Sequence, residues 1–301
     1  MRMDTKLRLG TVITALVTPF RNDRLDLATL ERLAERQINS GIDGLAVCTV
    51  TGEGPTLSAT ERAAIIRSCV RVAAGRVAVI AATGTNATST TIALTLEAQK
   101  LGADAALITV PYYSKPGQKG IVHHFAEVAA ASDLPFLIDD SPSRCASSLA
   151  PESLEALASL ESILGVVHAG DAAVRLQPHL LERFVHLSSD DSSALSFLAC
   201  GGDGMLASGT NVEPRLFSSL YRLAKAGNIA AATALHAGLQ PLIRALAEDA
   251  SPAPIKYALH VLLGTLPDVR LPMVGLEATE KAAVFASLTG LAESRPHVRA
   301  V

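Results

Sequence analysis

Short apolar runs alternate along the chain with longer segments whose apolar residues recur at helical spacing. The short runs are almost entirely apolar, as is typical of parallel strands that are covered on both faces. Eight such strands are predicted, at residues 11–17, 44–48, 77–82, 105–110, 135–139, 163–167, 184–188 and 204–208. The longer segments predict helices at 26–40, 58–73, 87–101, 118–131, 151–159, 171–182, 191–199 and 212–226.

This alternation of strand and helix favours an α/β fold, a (β/α)8 TIM barrel over residues 1–227. Helix starts support it: Ser58 and Glu61 have capping-box spacing, and Pro151 suits a first helical turn. A doubly wound parallel sheet is the alternative, but its usual G-x-G-x-x-G does not follow the first strand. The remaining residues, 228–301, carry no strand-like run and predict a C-terminal helical region of three helices.

Composition narrows the class of protein. With 301 residues, 49% hydrophobic and 18% charged, the chain is long and apolar enough to fold as a globular domain. The net charge of -3 gives no electrostatic basis for binding nucleic acid or an acidic membrane. No 18-residue apolar run lacks charges or turn residues, so no membrane span is predicted. The N-terminal sequence lacks the apolar core of a secretory signal, and the cysteines follow no C-x-x-C pattern, which predicts a cytoplasmic protein with reduced thiols.

Lysine is scarce and unevenly placed. Only seven of the 26 basic residues are lysine, and none lies between Lys119 and Lys225. Predicted strands five to eight therefore carry no primary amine.

In a barrel, the functional groups gather in the loops that follow the strands. Here those loops contain small, polar and ionisable residues, in the segments Thr49–Glu53, Pro111–Pro116, Asp139–Cys145, His168–Asp171, Ser189–Asp191 and Gly209–Asn211. In this order, they resemble the dihydrodipicolinate synthase / N-acetylneuraminate lyase family of pyruvate-dependent aldolases. The family's A-x-x-T-P-F pattern is matched by Ala15–Phe20, and its G-T-T-G-E turn is matched in part by Thr49–Glu53. Other matches lie at 84–86, 101–104, 124–125, 201–204, 211–214 and 254–256.

The resemblance covers nearly the whole chain and implies imine chemistry, yet the position that would carry it is changed. The family forms a Schiff base on the lysine of a G-x-K-E/D pattern, which falls here on Gly165–His168 and places Val167 at the lysine position. Because an imine needs a primary amine, Val167 cannot form one. The resemblance also places Asp139 at a proton-relay tyrosine and Val50 at a relay threonine.

Other site residues of the family are kept. Arg144 matches its substrate-carboxylate arginine, Thr51 matches the second threonine of the turn, and Tyr113 matches a tyrosine that crosses a subunit contact. We interpret Asp139 and Tyr113 as candidate catalytic acid–base residues. Arg144 and the turn that carries Thr51 and Val50 are interpreted as a clamp for a small carboxylate.

Each assignment has a structural alternative. Asp139 could simply pair with Arg144, Tyr113 could be an amphipathic anchor beside Tyr112, and Thr51 could only tie the turn together.

A second group comprises His168, Asp140 and Asp190. Strand alternation predicts that Asp140 and His168 face the helices, not the lumen. Asp139, His168 and Asp190 together would be metal ligands, but their spacing matches no recognised motif, and no metal or cofactor is predicted. Cys145, His123 and His124 are assigned to packing.

Two functional hypotheses follow. The first is a lyase that acts on a small 2-oxo acid or related carboxylate without a Schiff base. The second is a catalytically inactive, carboxylate-binding or structural relative. The predicted partners are a small-molecule carboxylate and further copies of the chain, in a homodimer or homotetramer, with the C-terminal helices as packing and assembly surface.

Overall fold

The computed structural model describes residues 9–170 and 176–298, and within them eight parallel strands close into a barrel. The strands are β1 (Val12–Ala15), β2 (Gly44–Val47), β3 (Ala78–Ala82), β4 (Ala105–Thr109), β5 (Phe136–Asp140), β6 (Ile163–His168), β7 (Val185–Ser188) and β8 (Gly204–Ala207). Each pairs with the next along the chain, and β8 closes onto β1. The predicted (β/α)8 barrel is confirmed.

Helices cover the outside of the barrel and continue beyond it. Those of seven residues or more are Leu27–Asn39, Ala59–Ala73, Thr88–Lys100, Gln118–Ala131, Pro151–Leu157, Pro214–Lys225, Ile229–Ala247, Ala253–Leu263 and Ala278–Val298, and shorter ones span Pro142–Cys145 and Ala194–Ala199. The capping box is present, with Glu61 N–H donating to the Ser58 hydroxyl and Ser58 N–H to the Glu61 carboxylate. The last three of the longer helices form the predicted C-terminal helical region. None of the helices in the described ranges has the length and apolar character needed to cross a bilayer.

Two of the predicted helices differ from the structure. Of the helix predicted at 171–182, residues 171–175 lie outside the described residues, and the rest contains only a 3-10 turn, Pro178–Leu180. Pro178 lacks an amide donor and keeps Gln177 extended, so an α-helix cannot run through this point. The helix predicted from residue 191 begins at Ala194, because the Asp190 carboxylate accepts hydrogen bonds from the two serines that follow Asp191.

A small hairpin was not predicted. It pairs Phe20–Arg21 with Arg24–Leu25 through Asn22 and Asp23, which both have positive φ. Asn and Asp tolerate this conformation, and the hairpin's strands are too short to produce a hydrophobic pattern.

The buried side chains of the strands divide into two layers. One layer packs against the helices; the other contains almost only strand residues and fills the lumen, among them Ile13, Ala46, Ile80, Leu107, Leu137, Val167, Leu187 and Leu206. Burying one such aliphatic side chain contributes about 1.5–3 kcal/mol. The lumen is therefore a packed apolar core, and ligands can only be held above it, at the carboxyl ends of the strands.

Three carboxylates join neighbouring strands at the opposite, amino end of the barrel. Asp43, Asp104 and Asp203 each stand directly before a strand and accept a backbone N–H from the neighbouring strand. Asp43 accepts from Val12 (3.0 Å), Asp104 from Val79 (2.8 Å) and Asp203 from His186 (2.9 Å). These bonds satisfy amides at the strand starts and help fix the strand register.

Candidate functional site

Asp139, Val167 and Thr109 lie side by side at the carboxyl end of the barrel. Asp139 on β5 is in register with Thr109 on β4 and with Val167 on β6. Since Leu137 and Val167 line the lumen and side chains alternate along a strand, Asp139 faces the lumen as well. A carboxyl group thus stands beside a buried valine at the position where the resemblance expects a lysine.

The Asp139 carboxyl group is half-buried and held by a neighbour in the same loop. The Ser141 hydroxyl donates a hydrogen bond to Asp139 Oδ1 at 2.5 Å. Burial raises the pKa of Asp139, the Ser141 hydrogen bond lowers it, nearby Asp140 raises it and Arg144 lowers it, with a net upward shift. A carboxyl group with a raised pKa is suited to exchange a proton closer to neutral pH.

Thr109 and Cys145 extend this group. The Thr109 hydroxyl lies 3.2 Å from the Cys145 sulfur, and Cys145 is buried. Burial raises the pKa of the Cys145 thiol, so it stays protonated and has little nucleophilic character. The structure therefore gives Cys145 a packing position. Thr109 belongs to none of the sequence motifs; it lies inside the strand-like run 105–110, and only its register with Asp139 shows that it faces the lumen.

The turn after β2 presents Val50 and Thr51 at the mouth. Val50 is 37% exposed and Thr51 is half-buried. The bonds that close the turn run from Glu53 N–H to Val50, from Gly54 N–H to Thr49, and from Gly52 N–H to the Thr49 hydroxyl. In the described residues, these turn bonds do not use the amides of Val50 and Thr51.

The Arg144 guanidinium group, expected to bind a ligand carboxylate, is bonded to a backbone carbonyl oxygen of the C-terminal region. It is exposed, and its Nη2 donates to the Ala250 carbonyl at 3.1 Å, in the segment between two C-terminal helices. Asp139 accepts its hydrogen bond from Ser141 instead. Arg144 is still close enough to lower the pKa of Asp139 by charge attraction. A ligand carboxylate would have to compete with the Ala250 carbonyl for this guanidinium group.

Tyr113 extends away from the barrel. Its side chain is 90% exposed, and its φ of 66° lies in the left-handed region that non-glycine residues seldom adopt. Tyr112, by contrast, is half-buried and packs against the core. Tyr113 and Asp139 are thus not brought together within one copy of the described chain.

The second group of candidates does not converge on the lumen. His168 lies in the outer layer, where its ring stacks with that of His186 and its Nε2 is 2.9 Å from His186 Nδ1. Asp140 is buried and accepts the Leu149 amide at 3.1 Å. Asp190 accepts from Ser192 and Ser193 in its own loop. Across the described ranges, no three His, Cys, Asp or Glu side chains are grouped to hold a metal ion, so Asp139, His168 and Asp190 do not form the metal site considered from sequence.

Asp191 is an additional ionisable group at the mouth, and sequence analysis assigned it no role. Its Oδ2 accepts from Gly209 N–H (2.7 Å) and from the Ser208 hydroxyl (3.1 Å), while Oδ1 is buried with no partner among the described residues. Burial raises the pKa of Asp191 to about 6, against the lowering effect of these hydrogen bonds. The sequence does not distinguish the two neighbours Asp190 and Asp191, because only the fold encloses an Asp191 carboxyl oxygen.

Comparison with known proteins shows which family the chain resembles in sequence and fold. A model of the Dihydrodipicolinate synthetase family matches residues 8–291. The 4-hydroxy-tetrahydrodipicolinate synthase of Hyphomonas neptunium is 41% identical over 281 residues, which cover 92% of this chain and 96% of that protein.

Solved structures of proteins with related names have the same fold as this chain. The 4-hydroxy-tetrahydrodipicolinate synthase of Methylacidiphilum fumariolicum SolV superposes with a TM-score of 0.91 at 34% identity, over 96% of this chain and 98% of that one. The dihydrodipicolinate synthase of Acinetobacter baumannii, solved in complex with pyruvate, superposes with a TM-score of 0.91 at 32% identity, over 94% and 98% of the two chains.

Proposed function

The chain belongs to the dihydrodipicolinate synthetase family, and from this premise we propose that it is a lyase for a small 2-oxo acid or related carboxylate that works without a Schiff base. One observation carries the proposal: Val167 lines the lumen, in register with Asp139, at the position that the resemblance assigns to the imine-forming lysine. The substrate class is inferred from a relative, the dihydrodipicolinate synthase of Acinetobacter baumannii, whose structure was solved in complex with pyruvate.

The placement of the lysines supports the absence of an imine. Strands β5 to β8 carry no lysine. Lys256 is buried against Glu53, and the other lysines of the described residues are exposed on outer helices and loops, at positions 100, 115, 119, 225 and 281. An imine requires a neutral primary amine within reach of the substrate carbonyl, and none of these lysines lies on a lumen-facing strand position.

Asp139 is proposed to replace the amine by direct proton transfer. As a base, its carboxylate takes a proton from the carbon next to the substrate carbonyl. The electron pair of that C–H bond forms the C=C bond of an enolate, and the carbonyl oxygen takes the negative charge. The amides of Val50 and Thr51, which the turn's own hydrogen bonds do not use, are proposed to stabilise this oxygen by hydrogen bonds.

The absence of an imine has a direct test. The intact protein is incubated with pyruvate and borohydride, and its mass is compared with that of protein treated with borohydride alone. We expect the two masses to be equal. A stable pyruvate adduct on any lysine contradicts the proposal.

The carboxylate clamp is tested separately, by the thermal stabilisation that a panel of 2-oxo acids gives to wild type and to Arg144→Ala. We expect at least one acid to stabilise wild type more than the variant. Arg67→Ala, at an exposed helix position, is the control for loss of an arginine away from the site. Equal stabilisation of wild type and Arg144→Ala by every acid contradicts the clamp.

A carboxylate-binding protein without catalysis is the second candidate, and two observations favour it. Val167 and Leu187 make the floor of the mouth apolar, and Arg144 is bonded to the Ala250 carbonyl. This candidate predicts that an oxo acid binds and is recovered unchanged. Proton exchange distinguishes the two: a lyase that forms an enolate exchanges the hydrogens next to the ketone of pyruvate with D2O, which NMR detects, whereas an inactive binder does not.

We further propose that the protein is a homodimer or homotetramer in the cytoplasm, with the barrel ending near residue 227 and the helical region beginning at 228. The exposed Tyr113 supports self-association, because a large aromatic side chain in water is typical of an interface. Light scattering after gel filtration measures the assembly. Tyr113→Ala is expected to shift it towards smaller species, and a monomeric wild type contradicts this proposal.

A further inference from the structure

A buried ion pair joins the C-terminal helices to the turn at the barrel mouth. Lys256, on the helix Ala253–Leu263, contacts Glu53 at the end of the turn, and the two side chains are 2% and 0% exposed. Lys256 Nζ also donates to the Asp268 carbonyl at 2.7 Å and lies 4.3 Å from the centre of the Phe20 ring. Burial lowers the pKa of Lys256, and the Glu53 carboxylate opposes this effect by attracting the ammonium charge.

Arg270 holds the other oxygen of Glu53. Its backbone N–H donates to Glu53 Oε2 at 2.9 Å, while its guanidinium group donates to both carboxylate oxygens of Glu61, at 2.6 and 2.9 Å. The guanidinium also lies 4.2 Å from the centre of the Phe20 ring. Both carboxylate oxygens of Glu53 are thus bound by residues from the C-terminal part of the chain, more than 200 positions away.

The turn that ends at Glu53 has an unfavourable backbone conformation. Cys48 and Glu53 have φ of 58° and 55°, in the left-handed region that L side chains avoid. Between them the chain packs closely: a Cβ on Gly52 would lie 2.8 Å from the Leu16 carbonyl oxygen, and Thr18 donates to the Gly52 carbonyl at 2.7 Å. Such a conformation persists only where the surrounding contacts determine it.

We propose that Lys256 and Arg270 act through Glu53 as positioning residues that hold the turn 49–53, and with it Val50 and Thr51, in its ligand-binding conformation. The identity of the ligand rests on the proposed function. The hold of Lys256 and Arg270 on the turn through Glu53 does not depend on it. It gives the C-terminal helices a role beyond the packing and assembly surface expected from sequence: without their ion pair, the barrel keeps its fold but the turn loses its shape.

Three variants and one control distinguish a specific effect on the conformation of the turn 49–53 from a general effect on the stability of the fold. Glu53→Gln removes the charge at the turn, and Lys256→Met removes the ammonium group. The double variant Glu53→Gln/Lys256→Met removes both charges, so no unpaired charge is left buried. Glu35→Gln is the control, because it makes the same chemical change in the exposed pair of Glu35 with Arg76, which involves none of Glu53, Lys256 and Arg270.

Hydrogen–deuterium exchange of the free protein is the primary readout. In the double variant we expect amides of segment 48–54 to exchange about ten-fold faster than in wild type, while those of β4 and β5 keep their protection. Glu35→Gln is expected to leave segment 48–54 unchanged. If the double variant regains thermal stability and wild-type protection of the turn together, the pair is only a structural contact and the proposal is wrong.

Pyruvate binding is the second readout. In the double variant we expect the Kd for pyruvate to rise at least about two-fold, by the factor by which the fraction of molecules with a formed turn falls, and to change little in Glu35→Gln. Unchanged affinity in a variant whose turn has lost its protection contradicts the positioning role. If wild type itself binds no oxo acid, the proposed function fails, whereas the exchange result still decides whether the C-terminal helices hold the turn.

Discussion

The Cα atoms of Asp139 and Val167 are register partners on neighbouring parallel strands, and both side chains face the lumen. A carboxyl group with a raised pKa therefore stands beside an inert isopropyl group at the barrel mouth. The relationship links two of the departures from the resembled family, because a carboxylate beside a lysine would form an ion pair, whereas valine cannot form one with Asp139.

Val167→Lys should restore imine chemistry. The new amine lies in the lumen beside Asp139. Burial lowers the pKa of a lysine, whereas the Asp139 carboxylate raises it by ion pairing, so the neutral amine that attacks a ketone, and with it the adduct, is expected to increase as pH rises. We expect pyruvate and borohydride to add one adduct to this variant. Val167→Met, of similar length but without an amine, is the matched control. A folded Val167→Lys protein that forms no adduct shows that position 167 does not meet the substrate carbonyl.

Asp139→Asn should abolish proton transfer while leaving ligand binding nearly intact. Loss of a general base lowers turnover by about 10²- to 10⁴-fold, which the exchange of pyruvate hydrogens with D2O measures. Ser141→Ala provides a finer test, because it removes the hydrogen bond that lowers the pKa of Asp139. The acidic limb of the pH profile is then expected to move to higher pH. A profile that stays in place argues against Asp139 as the base.

Asp191→Asn should stabilise the protein, and the gain should depend on pH. The native pKa of about 6 lies above the ordinary value of 3.8, so the native state binds more protons than the unfolded state between these values. Stability is therefore lost as pH rises from about 4 to about 6. Urea unfolding is expected to show a gain of about 2 kcal/mol for Asp191→Asn at pH 8, decreasing towards pH 4. Asp133→Asn, at an exposed carboxyl group, is expected to change stability by less than about 0.5 kcal/mol at either pH.

Lys256→Met should be far more destabilising than the loss of an exposed ion pair. Removing one partner of a buried pair leaves an uncompensated charge and costs about 3–5 kcal/mol. Arg76 is the matched comparison: its pair with Glu35 is 43% and 42% exposed, so Arg76→Met is expected to cost about 1 kcal/mol or less. Denaturant unfolding at pH 7 measures both. Similar losses in the two variants indicate that the Glu53 carboxylate finds another partner when Lys256 is absent.

The strands and most helices could be predicted because their signals are local. An apolar run such as 105–110 or a capping box such as Ser58–Glu61 is contained in a few consecutive residues. The same local alternation placed Val167 and Asp139 on one face and His168 on the other, which is the arrangement observed at β5 and β6.

The remaining features depend on contacts between distant parts of the chain. Arg144 takes its orientation from Ala250, 106 positions away, and Glu53 meets Lys256 across 203 positions. A resemblance to a motif gives the type of residue at a position, but the direction of a long side chain is decided by what the fold places beside it. For the same reason, the burial of an Asp191 carboxyl oxygen could not be predicted.

The three carboxylates at the amino end of the barrel have a consequence for the evolution of proteins with this fold. Asp43, Asp104 and Asp203 tie neighbouring strands together at the end opposite to Val50, Asp139 and Val167. Substitutions at the mouth therefore leave these ties untouched. A lineage that carries this barrel can exchange one chemistry for another, or abandon catalysis altogether, and still pass on an intact fold.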